Sequence, residues 1–562
     1  MALASNNLIG MRRHAECATV ANNQEMSTGL EKKFATAVID VLLQSTHPKN
    51  IPQLSEEDFL MLRHLVRNRI KIGDFESLRE VVLMCHFRLG KFLVEEAGVI
   101  PNIDDDDDVN DGAWQIMHAI FTPRFGITAV GKMLLNQKLR NKSSTKDWHG
   151  DINLRFVTDI SPTYASLFER GSMSQVSVRE LRQGANEVHS AFLTMLLKQP
   201  AFVKNMCRSR ATSTTNRSLM HVVAASSDPA SITKLLKITR EHHDCSALIE
   251  ALTAQDAFGF TPADLAARVG DLESLDLLLR ATGGKERIEQ KTRDLLIKFD
   301  PKNNKTRETI TSTSRQRNTH RRCDIDQIDV EQLNATYFYR RYFLPRRPLL
   351  IKRGCNSWRS MHWSLGYLDR ELRDVQATVS VSHIPYATEF GVQEIALTSM
   401  RSLPHISTTT NSVPYVFDST ILNQSPKLLR DFPALPWFAE PPAHLNQNVL
   451  GLQLDPSQLY VGSRGSGSPM HFHSDALNAC FKGEKLYALL PPAESVYSIT
   501  PLETWLENEE NKEKYEHKLL FCTQRRGDVM FIPGMYAHGV VNQKKVIGVA
   551  TEMLSRNGED LF

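Results

Sequence analysis

The strongest constraint on this chain of 562 residues is a change of hydrophobic period at a polar, basic stretch. Up to about residue 298, apolar residues recur at helical spacing and strand-like runs are few. From about residue 325 the pattern becomes short β-rich runs, among them Leu459-Tyr460-Val461, Tyr487-Ala488-Leu489-Leu490 and Val529-Met530-Phe531-Ile532. Gly, Pro and Ser separate these runs, as in an all-β sandwich or barrel. One packed layer cannot serve both periods, so a multidomain chain is expected, in keeping with a prior of roughly 150 residues per domain. Residues 299–324 divide the two parts. They are rich in Asn, Thr, Ser, Lys and Arg and lack periodicity, which reads as a linker. Its cluster of Arg315, Arg317, Arg321 and Arg322 reads as a solvated tether, with a localisation signal as the alternative.

Residues 1–200 read as a helical region that includes divergent repeats or a cap. Leu60, Leu62, Leu65 and Val66 fall on one helical face, and Ser55 ahead of Glu56, Glu57 and Asp58 supplies an N-terminal cap. Asp104 to Asp108 repel one another and read as a solvated loop. Residues 201–298 carry a repeat. Asp256 and Gly259 mark a turn, Thr261-Pro262 opens a helix, Ala266-Ala267 allows close packing, and Gly270 ends it before Leu275, Leu277, Leu278 and Leu279. This stretch resembles an ankyrin repeat. Ser218 to His221 with Ala224-Ala225 make a looser copy 43 residues earlier, against about 33 for the usual spacing. GDFESL at 73–78 echoes GDLESL at 270–275. A plain helical bundle is the competing reading.

Charge narrows the partners. With 67 Lys+Arg against 64 Asp+Glu, the net charge of +3 produces no field that would draw nucleic acid or a membrane surface. Apolar runs fall short of the ~18 residues a membrane span needs. Eight cysteines without a CxxC pair argue against a disulfide scaffold or zinc finger and for a reducing compartment. The N-terminal residues contain no secretory apolar core. Together these predict an intracellular protein, cytoplasmic or nuclear.

The chemistry concentrates at residues 459–492. His471, His473 and Asp475 alternate along an extended segment, so their side chains share one side and can converge inside a barrel. Far downstream, Gly527-Asp528 and Ile532-Pro533 precede His538. Two ligands on one strand completed by a distant histidine make a facial metal triad, which leaves coordination positions open.

On these residues the section from about 330 to 556 resembles a JmjC (cupin-like) 2-oxoglutarate oxygenase, nearest the Jumonji lysyl hydroxylases and smaller HxH-bearing relatives. The resemblance runs in order. It includes Tyr339, Phe343, Pro345 and Pro348-Leu349-Leu350-Ile351 with Trp358 and Trp363, then Tyr415 to Ser419, Leu428-Leu429 and Pro436-Trp437-Phe438. It continues through Asp475 to Ala479, Gly483, Lys485 and Pro491-Pro492, and ends with Gly527-Asp528, Pro533-Gly534, His538 and Asn542. It implies a double-stranded β-helix (jelly roll) over residues 325–562, with Fe(II) and 2-oxoglutarate as cofactors. His471 would be the first iron ligand and His538 the third. Lys485 would pair with the far carboxylate of 2-oxoglutarate, Asn478 and Asn542 would bond around it, and Thr551 or Tyr460 would add a hydroxyl.

The second ligand departs from the family, whose usual motif is His-x-Asp. Lys485 lies fourteen residues after His471 but twelve after His473. The longer spacing puts His471 first and His473 where a carboxylate normally sits. The shorter makes His473-Ser474-Asp475 a literal HxD, and a bulged strand would combine His471, Asp475 and His538. The resulting expectation is a 2-oxoglutarate-dependent dioxygenase, a hydroxylase or demethylase of protein side chains, with ankyrin-like repeats recruiting a protein. Two alternatives stand beside it: a JmjC scaffold that has lost turnover, and a three-histidine cupin dioxygenase that does not use 2-oxoglutarate.

Overall fold

A computed structural model describes residues 160–283 and 323–555 with short breaks, the longest at 381–393 and 398–412, and scattered helical residues between 63 and 135. The readings at Ser55 and Leu60 to Val66, at Asp104 to Asp108 and across most of 299–324 lie outside the described residues. So does most of the GDFESL segment.

The helical part runs through α1 (Pro162–Glu169), a short strand β1 (Gln175–Ser177), α2 (Val178–Leu196), α3 (Pro200–Arg208), α4 (Leu219–Ala225), α5 (Pro229–Glu241), α6 (Ser246–Ala251), α7 (Pro262–Arg268) and α8 (Leu272–Ala281). Their starts follow from local chemistry. Ser177 with Glu180 on α2, and Thr261 with Asp264 on α7, form reciprocal capping boxes that satisfy otherwise orphaned N–H groups. Each such cap contributes about 1 kcal/mol. The helices stack in two layers, α4 against α7 in one and α2, α5 and α8 side by side in the other. Joining α4 to the turn before α7 are a buried Arg217–Asp256 ion pair at 3.1 Å and the fully buried His221, which meets Phe260 O. Asp256 Oδ1 accepts from the N–H groups of Phe258 and Phe260, both at 2.9 Å, and shapes the turn whose Gly259 takes φ +82°.

The second part is a jelly roll. Its strands are β2 (Asp326–Asp329), β3 (Leu349–Lys352), β4 (Ala377–Ser380), β5 (Glu394–Leu397), β6 (Tyr415–Asp418), β7 (Leu452–Leu454), β8 (Gln458–Gly462), β9 (Gly467–His471) and β10 (Asp475–Lys482). They continue as β11 (Glu484–Leu490), β12 (Val496–Ser498), β13 (Leu520–Arg525), β14 (Val529–Ile532), β15 (Ala537–Asn542) and β16 (Val546–Ser555). The larger sheet runs β2-β3-β14-β10-β16-β8-β6-β4-β5, with β7 added on β16; the smaller runs β13-β11-β15-β9. Alternation along each strand separates two cores. Leu350, Met530 and Ile532 of the large sheet meet Tyr487, Leu489, Leu520 and Val540 of the small one inside the barrel. On the outer face, Phe338 and Phe343 of the lead-in pack their rings 5.0 and 6.0 Å from Phe531.

The two parts are joined directly. β1 pairs antiparallel with β12, and the Arg268 guanidinium donates to the Leu344 carbonyl at 2.9 Å. At Gly270 an added Cβ would come within 2.8 Å of Ala493, so glycine is needed both for φ +75° and for this close approach.

The structure adds two cysteine pairs that the sequence reading did not anticipate. Cys207 pairs with Cys245 and Cys323 with Cys522, while Cys355 and Cys480 are free and buried. Partners 38 and 199 positions apart leave no spacing signal in the sequence. No helix among the described residues is long and apolar enough to cross a membrane.

Candidate metal centre

The register of the small sheet builds the site. β15 pairs His538 with His471 at the end of β9, and on its other edge pairs His538 with Leu489 and Asn542 with Lys485. Period-two alternation then puts His538 and Asn542 on the same inward face as Lys485, Tyr487 and Leu489. His473 follows β9 in the connection to β10. Ligand nitrogens of His471, His473 and His538 all lie within 4.8 Å of one another, and the His471–His538 and His473–His538 ring centroids are 4.3 and 4.8 Å apart.

Backbone carbonyls orient each ring. Nδ1 of His471 faces Pro469 O at 2.8 Å, that of His473 faces Ser474 O at 2.7 Å, and that of His538 faces Tyr536 O at 3.2 Å. A carbonyl only accepts, so each Nδ1 carries a hydrogen, and in the neutral ring the lone pair is then on Nε2. Burial, with the His471 and His473 rings alongside, holds His538 well below the ordinary histidine pKa and therefore neutral. Three imidazoles gathered with their Nδ1 atoms tied back suit a divalent first-row metal, and the carbonyls supply the outer bonds that such ligands use.

Asp475 is not among these groups. As the first residue of β10 it shares a face with Leu477, which packs on the outer core. Its carboxylate, 1% exposed, accepts from the Arg346 guanidinium at 3.0 Å and from Gly534 N–H at 2.7 Å. The His473-Ser474-Asp475 register and the bulged alternative are therefore corrected: the pleat turns Asp475 away, and Arg346 engages it.

Lys485 lies deeper in the barrel and is 1% exposed. Its ammonium donates to Asn478 Oδ1 at 3.4 Å and sits 3.7 Å from the Tyr460 ring centroid and 5.5 Å from that of Tyr487. None of these carries a negative charge. Desolvation drives its pKa down to about 7, only partly offset by the nearby Cys480 thiol. A buried ammonium in polar but uncharged company suits an anionic guest such as a carboxylate.

The other candidates divide. Asn478 is beside Lys485, and Tyr460 offers its ring there while its hydroxyl donates to Ala479 O at 2.8 Å. Asn542 donates to Ser466 Oγ at 2.9 Å and leaves its buried Oδ1 without a partner. Thr551 is corrected. It pairs with Leu477 on the face opposite Asn478, and its hydroxyl bonds Ser457 Oγ at 2.7 Å. Glu484 sits at the barrel rim against Lys544 at 3.1 Å. Sequence reasoning missed Arg346, whose one signal was its place in Pro345-Arg346-Arg347-Pro348, and Gln524. The Gln524 amide donates to Asn478 O at 2.6 Å and Asp528 O at 3.0 Å, clamping the strand that carries Asn478. It also missed Glu552, which accepts from Ser474 Oγ at 2.9 Å and stands 3.7 Å from His473 Nδ1.

Residues 335–552 match a family described as a cupin-like domain. Over 249 residues the chain is 23% identical to the arginine-specific demethylase JMJ22 of Arabidopsis thaliana, a match covering 41% of this chain and 46% of that protein. Over 265 residues it is 23% identical to the human bifunctional peptidase and (3S)-lysyl hydroxylase JMJD7, covering 38% and 79% respectively. Among solved structures it is similar to YcfD, a ribosomal oxygenase from Escherichia coli in complex with cobalt and succinic acid. There the TM-score is 0.27 and the identity 16%, over 40% of this chain and 52% of that one. The C-terminal part is thus similar to cupin-like domains and to JmjC proteins. The chain spans about half the length of the demethylase relative.

Proposed function

We propose that the chain is an Fe(II)- and 2-oxoglutarate-dependent oxygenase that hydroxylates a protein side chain. The observation that carries this reading is the meeting of three carbonyl-oriented imidazoles within 4.8 Å, one of which, His538, shares the inward barrel face of the buried Lys485. His471, His473 and His538 would hold the iron. Lys485 and Asn478 would bind the far carboxylate of 2-oxoglutarate, with Asn542 nearby on the paired strand. When bound, the iron and 2-oxoglutarate supply the oxidising power for C–H hydroxylation, with succinate and carbon dioxide as co-products.

The protein's own part is to bind and orient. The carbonyls behind each Nδ1 keep the rings in one tautomer, and the apolar wall of Tyr487, Leu489 and Val540 excludes water from the interior. The demethylase and hydroxylase names of the relatives fit the same C–H chemistry. The helical part, residues 201–298, would be an ankyrin-like recognition stack ahead of the 299–324 linker and the 325–562 domain. Its capping boxes and the His221 bridge between successive helix pairs favour that reading. A cavity of about 1060 Å³ bordered by Arg179, Asn186, Lys198, Asp271, Glu273 and Glu494 would receive the partner protein.

The test is succinate release from purified protein supplied with Fe(II), ascorbate and 2-oxoglutarate. Turnover dependent on all three supports the reading. No succinate together with no retained iron favours a non-catalytic scaffold, a second reading that draws on the engagement of Asp475 by Arg346 in place of a carboxylate ligand. Iron-dependent oxygen consumption indifferent to 2-oxoglutarate points instead to a three-histidine dioxygenase.

A further inference from the structure

The strand that follows the short 3-10 turn at Pro492–Glu494 is β12, and among the described residues its ladder partner is not in the barrel. It is β1, contributed by the helical part. The pairing sets Val176 opposite Tyr497. It is extended on both sides, by Val178 N–H to Ser495 O at 2.8 Å and Ile499 N–H to Ser174 O at 2.9 Å. Gln175 secures it further, accepting from the Trp505 indole at 2.9 Å and donating to Asn511 Oδ1 at 3.2 Å.

Two routes lead from this ladder to the metal-facing rings. Tyr497, 2% exposed, packs its ring edge-on at 5.4 Å from Phe472 and 6.4 Å from His471. Ser495 is fully buried; its hydroxyl donates to Met535 O at 2.5 Å and accepts from Ala537 N–H at 2.9 Å, immediately before His538. A three-residue strand has little ladder of its own, so its position depends on the segment paired with it.

We propose that Tyr497 is a positioning residue for His471, and that the helical part, through β1, completes the wall of the metal centre rather than only recruiting a partner. The inference rests on the metal reading above. Aromatic packing holds the His471 ring at the angle its Pro469 contact sets, and β1 fixes the strand that delivers the aromatic ring.

The experiment titrates the full chain with Co(II) and follows the visible d–d bands and the dissociation constant. Tyr497→Ala weakens Co(II) binding by about tenfold, the size expected for losing an outer-shell support, and alters the band intensities. Tyr497→Phe, which keeps the ring, restores the unaltered affinity and spectrum. Val176→Pro, at the centre of the β1–β12 ladder, reproduces the Tyr497→Ala change, and Gln175→Ala reproduces it in weaker form at less risk to folding. Metal-free thermal unfolding identifies any variant that has simply lost its fold. A folded Tyr497→Ala chain with unaltered Co(II) affinity and spectrum overturns the positioning role. A folded Gln175→Ala chain with an unaltered spectrum overturns the coupling to the helical part. If the unaltered chain takes up no Co(II), the metal reading itself fails and this inference falls with it.

Discussion

Buried histidines occur in both parts of the molecule, and they are finished differently. In the helical stack, Nδ1 of His221 meets the Ser218 hydroxyl at 2.7 Å and Nε2 meets Phe260 O at 3.0 Å, so both ring nitrogens are occupied within the protein. Burial pushes its pKa down to about 4, and the ring serves as a neutral brace between α4 and the turn before α7. In the barrel, His471, His473 and His538 each place Nδ1 on a carbonyl, and ligand atoms from all three gather within 4.8 Å. Buried cations show the same contrast. Arg217 meets Asp256 in the stack, whereas Lys485 faces an amide oxygen and two aromatic rings. Burial alone does not mark a site. A site is marked where burial leaves bonding capacity pointed at a common volume.

Removing a ring from each set is the strongest challenge to that contrast. His538→Ala should abolish metal retention, measured by elemental analysis after desalting, while His221→Ala should leave it unchanged. Lys485→Ala should weaken 2-oxoglutarate binding by about 10- to 100-fold in calorimetry, the worth of a charge-assisted hydrogen bond; equal affinity would mean the ammonium faces no guest.

The pH dependence sharpens this further. The folded pKa of Lys485, about 7, lies below the ~10.4 of an unfolded lysine, so the unfolded chain binds the extra proton between those values. Stability therefore rises with pH across that window, and below pH 7 the folded state bears the full cost of the buried charge. Carboxylate binding should take up a proton above pH 7 and weaken as pH increases. In Lys485→Met both trends should disappear from calorimetry and thermal unfolding.

Asp475→Asn should leave metal affinity unchanged yet destabilise the fold by about 3–5 kcal/mol, because Arg346 loses its buried counter-charge. A loss of metal instead would restore Asp475 as a ligand. Smallest is the brace itself: His221→Ala should cost about 1–3 kcal/mol in denaturant unfolding, from a lost cap and an unsatisfied carbonyl.

How much was legible in the sequence follows from the range of the signals. The switch of period near residue 325, the helix start at Thr261, and the alternation of His471 with His473 are local, and local chemistry writes them in a few residues. The face taken by Asp475 and Thr551 was not legible, because it depends on where β10 and β16 begin their pleat. The Arg346–Asp475 pair, the cysteine pairings and the β1–β12 ladder join distant segments and left no spacing to read. The gathering of His471 with His473 and the burial of Lys485 lie within one hairpin-linked stretch, which keeps their signals local.

The central claim is that three imidazoles share one metal ion. X-ray absorption at the iron edge, on chain loaded with one equivalent of Fe(II), measures it most directly. The account predicts a retained ion with three imidazole nitrogens, falling to two in His473→Ala. An ion that washes out of the unaltered chain, or an imidazole count that His473→Ala leaves unchanged, would contradict it.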